Sequence, residues 1–186
     1  NMQDNALKEA ESKMRKTVAV LDHDLAGIRT GRATPALLDS IRVDYYGAPT
    51  PLNQIAGVSA PEARLLVIQP WDRTILPVIE KAILKSELGL TPSNDGNVIR
   101  LVVPILSEER RRDLVKVVRK RGEAGKIAIR NVRRDILEQL RGLERDKQIS
   151  LDIYQQAQER LQKLTDAFIV EVSKVGQAKE DELLEV

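Results

Sequence analysis

The chain has 186 residues, with 30 Lys and Arg against 28 Asp and Glu for a net charge of +2, one His and no Cys. That inventory excludes disulfide scaffolds, zinc fingers, iron–sulfur sites, thiol catalysis and multi-histidine metal centres. The aromatic residues Tyr45, Tyr46, Trp71, Tyr154 and Phe168 are too few for a platform on which unpaired bases stack, so any RNA contact has to be ionic.

No apolar run approaches the ~18 residues that cross a bilayer. Leu65 to Ile68 and Leu101 to Leu106 are short, and the second is broken by Pro104. Asn1-Met2-Gln3-Asp4 lacks the basic and apolar regions of a secretory signal. The expected location is the cytoplasm, or an organellar stroma or matrix if a transit peptide has been removed.

From Gln3 to Thr30 the residues Leu7, Met14, Leu21 and Ile28 recur every seven positions, with Val18 and Leu25 four after Met14 and Leu21. This spacing predicts one long helix with a narrow apolar seam. Gly31 and Pro35 are its expected stop signals. Residues 31–106 then hold all 8 prolines, and the helical period disappears.

Inside that stretch Ile41, Val43 and Tyr45 alternate with Arg42, Asp44 and Tyr46 before a Gly47-Ala48-Pro49 turn, and Arg64 to Gln69 reads as a short apolar strand. After Trp71, an Asp72 or Thr74 cap with Pro77 in the first turn predicts a helix through Ile79, Ala82, Ile83 and Leu84 ending at Gly89. An Asn94-Asp95-Gly96 turn then leads into a strand over Val98 to Val103. A small inserted β/α/β domain is expected over 31–106.

Helical spacing returns at Ser107, a candidate N-cap, with Glu108 and Glu109 at the positive end of the helix dipole. Val115, Val118, Gly122, Gly125, Ile129, Val132, Ile136 and Leu143 mark a seam to about Arg145. Ser150 is the next cap, and Ile153, Ala157, Leu161, Leu164, Phe168, Val172 and Val175 mark a third seam. Three such helices, on the order of 40 to 60 Å long at 1.5 Å per residue, predict an elongated three-helix bundle from 1–30 and 107–186. The fold class is α+β, with the chain crossing between bundle and insert at Thr30-Gly31-Arg32 and Pro104-Ile105-Leu106. Short paired linkers of this kind make a two-stranded hinge.

The bland total charge hides an asymmetry. Residues 1–107 carry 12 basic and 12 acidic side chains, 108–145 carry 13 and 7, and 146–186 carry 5 and 9. Arg112, Arg119, Lys126 and Arg133 are seven apart, and Lys116 and Arg130 sit four after Arg112 and Lys126. These cations form one stripe along about 32 Å of helix. A merely solvated face interleaves signs at i and i+4, whereas this stripe repels itself at roughly 0.2–0.5 kcal/mol per like pair. A phosphate backbone is therefore the favoured partner, and Arg130, Arg133 and Arg134 are its densest triplet, suited to bidentate phosphate contact.

Other constellations do not converge. Asp22-His23-Asp24 would point about 100° apart on a helix and cannot share a metal ion. Gly122-Glu123-Ala124-Gly125-Lys126 has neither the spacing, the following Ser or Thr, nor the preceding strand of a phosphate-binding loop. Its two glycines are expected to allow close helix approach, at roughly 1 kcal/mol each of helix propensity. No carboxylate pair or histidine is placed for acid–base work, so an enzyme is disfavoured.

The blocks Ile28-Arg29-Thr30-Gly31-Arg32-Ala33, Tyr45-Tyr46-Gly47, Ile79-Glu80-Lys81-Ala82-Ile83, Leu88-Gly89-Leu90, Ser107-Glu108-Glu109-Arg110-Arg111 and Arg130-Asn131-Val132-Arg133-Arg134-Asp135 run collinearly through the chain. In them the sequence resembles the ribosome recycling factor family. The resemblance implies an L-shaped monomer. It also implies binding to the post-termination ribosome and, with elongation factor G and GTP, splitting it into subunits so that mRNA and deacylated tRNA leave.

By the same resemblance, the bundle's arginines contact large-subunit rRNA, at Arg133 with Arg130 and Arg29 beside it. With the stripe, the candidate set is Arg133, Arg130, Arg134, Arg29, Lys126, Arg119, Arg112 and Lys116. The insert would face elongation factor G, which hydrolyses the GTP, so no cofactor and no metal is expected, and neither DNA nor a membrane as partner. Two departures stand out. Pro104-Ile105-Leu106-Ser107 replaces the family's usual Pro-Pro-Leu-Thr, removing one fixed φ from a crossing. Gly122 and Gly125 replace helix formers.

Two other readings compete. A coiled-coil scaffold or chaperone would turn the same stripe toward an acidic protein, and an RNA-binding arm of a tRNA-handling enzyme would need a catalytic domain for which the insert leaves no room.

Overall fold

The computed structural model describes residues 1–185. They divide into two compact units, Asn1–Ile28 with the chain from Glu108 onward, and Arg29–Ser107.

The first unit is a bundle of three helices. α1 spans Met2–Ala26, begins with the Asn1 side chain accepting from the Asp4 amide, and buries Ala6, Leu7, Ala10, Met14, Leu21 and Leu25. It stops four residues before the expected Thr30. Gly27 is the C-cap, and the Ile28 amide bonds back to the Leu25 carbonyl at 3.1 Å, the three-residue closure with which a helix tightens and ends. Gly31, the expected stop, lies beyond the helix with φ +81°.

α3 spans Glu108–Arg145 and buries Leu114, Val118, Gly125, Ile129, Ile136, Leu137 and Leu140. Val115, Gly122, Val132 and Leu143, expected in the seam, are only half-buried. The helix ends as the Gln148 amide reaches the Leu143 carbonyl at 2.8 Å around Lys147, which has φ +60°. α4 spans Leu151–Leu184, and the Ser150 hydroxyl accepts from the Ile153 amide at 3.1 Å.

The α4 seam holds Ala157, Leu161, Phe168, Val172 and Leu183, but also Thr165 and Lys179, which an apolar pattern does not flag. Thr165 returns its hydroxyl proton to the Leu161 carbonyl at 2.8 Å, and Lys179 directs its ammonium to Glu182 at 3.5 Å, so neither polar end is buried without a partner. The Arg15 guanidinium lies 5.6 Å above the Phe168 ring.

The second unit carries more sheet than its sequence suggests. β1 (Arg42–Tyr45) pairs antiparallel with β2 (Ala48–Pro51) through Tyr46 at φ +50° and Gly47 at φ +83°, the two left-handed residues of a tight hairpin. A second, antiparallel sheet has the order β3 (Ala56–Glu62), β4 (Leu65–Pro70), β6 (Ile99–Val102), β5 (Pro92–Asn94). Prolines 49, 51 and 61 disguise β2 and β3 in the sequence, and the structure keeps both strands at sheet edges, where a missing N–H is tolerated.

α2 (Leu76–Lys85) follows a short turn whose Asp72 carboxylate accepts from the Thr74 amide at 3.0 Å. It ends at Ser86 rather than the expected Gly89, where the backbone turns extended at ψ 160° and the Ser86 amide and hydroxyl both donate to the Ile83 carbonyl, at 3.2 and 2.6 Å. Ile79 and Ile83 on α2 join Val43, Leu66, Ile68, Ile99 and Leu101 in one core. Among the described residues no helix is long and apolar enough to cross a membrane.

Candidate nucleic-acid interface

The buried residues of α3 fix its rotation, and Val118, Gly125 and Ile129 turn the cationic stripe to the side next to α4. Arg112, Lys116, Arg119, Arg130 and Arg134 are exposed, while Lys126 and Arg133 are half-buried. Successive stripe cations seven residues apart stand about 10 Å apart along the axis, near the Debye length at physiological salt, so their mutual repulsion is largely screened.

The stripe is also less one-sided than its sequence implies. Arg112 pairs with Glu108 at 2.6 Å, Lys126 with Glu123 at 3.4 Å, and Arg119 reaches across to Glu180 on α4 at 2.5 Å. The expected self-repulsion is thus offset by acids one turn away or on the neighbouring helix, the exposed Arg112–Glu108 pair contributing at most about 1 kcal/mol. What remains uncompensated is the part toward the C-terminal half together with Lys116. Lys116 and Arg130 make no ion pair or side-chain hydrogen bond among the described residues. Arg133 donates from Nε to the neutral Gln162 Oε1 at 2.8 Å, and Arg134 has only its neighbour Asp135, at 3.7 Å.

Arg29 belongs to the other unit. Its Nη2 donates to the Leu88 carbonyl at 2.6 Å, tying the segment after α1 to the loop after α2. The crossing residues also lie in that unit. A Cβ on Gly31 would sit 3.4 Å from the Leu106 amide nitrogen and 3.7 Å from the Pro104 carbonyl oxygen, so the two crossing segments run side by side. Thr30 is half-buried, Arg32 is exposed, and Ile105 is 57% exposed. The Ala33 amide bonds the Ala63 carbonyl at 2.7 Å, and the Val103 amide bonds the Arg64 carbonyl at 2.8 Å, so both segments hang from the turn between β3 and β4.

Gln162 and Glu180 escaped the sequence reading. They lie 29 and 61 residues from the arginines they meet, and only the relative rotation of α3 and α4 brings them there. Gly122 also departs from expectation, since none of the described residues comes within 4 Å of where its Cβ would stand, and it is no close-approach position. Gly125 does face Leu21 and Val172, at 3.4 and 3.5 Å.

The family model described as ribosome recycling factor matches residues 21–184. The chain belongs to the ribosome recycling factor family. A ribosome-recycling factor of Heliobacterium modesticaldum is 58% identical over 179 residues, covering 96% of this chain and 97% of the relative. One of Pelotomaculum thermopropionicum is 54% identical over 180 residues, covering 97% of each. Among solved structures, a ribosome recycling factor in solution aligns with TM-score 0.79 and 45% identity over 100% of this chain and 99% of that one. Another aligns with TM-score 0.67 and 48% identity over the full length of both chains. It is described as the Thermus thermophilus ribosome recycling factor and the Escherichia coli elongation factor G bound to the Escherichia coli post-termination complex. As a ribosome recycling factor the chain is a translation factor.

Proposed function

We propose that this chain recycles ribosomes. It binds the post-termination ribosome through the α3 cations on large-subunit rRNA and, with elongation factor G and GTP, splits the ribosome into subunits, releasing mRNA and deacylated tRNA. The observation that carries the rRNA contact is the set Lys116, Arg130, Arg133 and Arg134 along one helix, with no carboxylate partner among the described residues for Lys116, Arg130 and Arg133. Such a run displaces condensed counterions from a phosphate backbone, which supplies affinity and makes it salt-dependent. Family membership supports the rest.

In this reading the bundle, 1–30 with 107–186, is the anchor, and the insert, 31–106, faces elongation factor G. Thr30-Gly31-Arg32 and Pro104-Ile105-Leu106 form the hinge about which the insert moves. Arg29, bonded through Nη2 to the Leu88 carbonyl, belongs to the rRNA-contact set with Arg133 and Arg130. The chain performs no chemistry of its own. Hydrolysis belongs to elongation factor G, and the chain works in the cytoplasm of a bacterium, as a monomer.

Light scattering of ribosomes with an empty A site and deacylated tRNA, mixed with the chain, elongation factor G and GTP, tests this directly. A fall only when all components are present is expected. No fall, alongside an active control factor, would overturn the reading and leave an acidic protein as the partner to seek for the stripe.

A further inference from the structure

Among the described residues Arg133 uses only Nε, and the acceptor, Gln162 Oε1, is itself held. The Gln162 amide nitrogen donates to Asp166 Oδ1 at 2.9 Å, one turn along α4. With its NH2 taken by a carboxylate, the amide has one sensible orientation, oxygen toward the guanidinium. The chain Asp166, Gln162, Arg133 therefore runs across the surface of the two helices in a single donor–acceptor sense.

This arrangement decides what Arg133 offers outward. Among the described residues neither Nη group has a partner, so the free edge of the guanidinium is the Nη1–Nη2 fork, whose two parallel N–H donors match two phosphate oxygens. Because Gln162 is uncharged, Arg133 keeps its full positive charge at that edge. Arg119 shows the contrast, using the same Nε toward α4 but meeting the carboxylate of Glu180, whose side chain is only 12% exposed.

The geometry points to Gln162 as a positioning residue for phosphate recognition, fixing the Arg133 fork from α4 without itself touching RNA. This rests on the rRNA reading of Arg133. It extends the recognition surface to a second helix and sets Arg133 apart from Arg119 by the charge of what holds each.

The test is a double-mutant cycle on binding to purified large ribosomal subunits, with the full-length chain and its variants Gln162→Ala, Arg133→Ala and the double variant. Gln162 is exposed, so its replacement leaves thermal stability close to that of the parent. The expected result is affinity about three- to tenfold weaker for Gln162→Ala in the parent, and less than about twofold weaker in the Arg133→Ala background. An equal loss in both backgrounds would mean that Gln162 acts on RNA or on the fold by itself and would overturn the inference. So would an unchanged Gln162→Ala affinity while Arg133→Ala weakens binding. If Arg133→Ala itself has no effect, the rRNA reading of that residue fails, and this inference falls with it.

Discussion

Gly31 stands so close to Leu106 that a Cβ on it would lie 3.4 Å from the Leu106 amide nitrogen and 3.5 Å from its Cγ, and the glycine holds φ +81° there. The two crossing segments therefore depend on a residue with no side chain and a left-handed backbone. Gly31→Ala is expected to lower the stability of the second unit by about 1–2 kcal/mol, since an L side chain pays that in this region and the neighbouring backbone also has to yield. Denaturant unfolding followed in the far ultraviolet measures it, and an unchanged midpoint would show that the segment relaxes freely.

The cations of α3 should not be equal in an RNA contact. Arg133 is held by a neutral amide and Arg119 by Glu180. Arg133→Ala is expected to weaken large-subunit binding and to reduce the slope of log affinity against log salt by about one, the signature of one lost phosphate contact. Arg119→Ala should change that slope by clearly less. Equal changes would mean that Glu180 lets go of Arg119 on the ribosome.

Gly122 sits in the middle of α3 with open space where a Cβ would be. Gly122→Ala is therefore expected to stabilise the bundle by up to about 1 kcal/mol, through helix propensity alone. For a bundle of roughly 100 residues melting as a unit that is up to about 4–8 °C in melting temperature. A lower melting temperature in calorimetry would contradict it.

Asp95 anchors the turn between β5 and β6. The Val98 amide at 2.9 Å, Arg100 at 2.6 Å and the Asn97 amide at 2.8 Å all donate to it and hold its carboxyl well below the ordinary carboxylate range. A group whose folded pKa is depressed stabilises above its unfolded pKa of about 3.9 and loses that contribution as pH falls below it. Asp95→Asn should thus be less stable than the parent near neutral pH, with the gap closing from about pH 5 toward about pH 2. Parallel curves across that range would remove Asp95 from the acid sensitivity of the fold.

How far the sequence carries can be seen residue by residue. The heptads of Leu7, Met14 and Leu21 and the Ser150 cap are local signals, and the helices they announce are present. Helix ends were less legible, because Gly27 and Ser86 closed them before the more conspicuous Gly31 and Gly89. The edge strands β2 and β3 were hidden by prolines that disqualify a central strand but not an edge. At the candidate interface the cations themselves were legible, since seven-residue spacing is a property of one helix. Glu180 and Gln162 were not, because their role exists only once α4 is laid beside α3.

The turn at Ala63 and Arg64 receives both the entry and the exit of the second unit, through Ala33 and Val103. The two crossing segments are thereby stapled to adjacent residues, so the second unit is closed into a loop by its own backbone hydrogen bonds. Closing a loop this way restricts how its ends can fray and favours the unit unfolding as one cooperative block. On heating, the insert can melt as a block of its own while the bundle persists, giving two calorimetric transitions from one polypeptide.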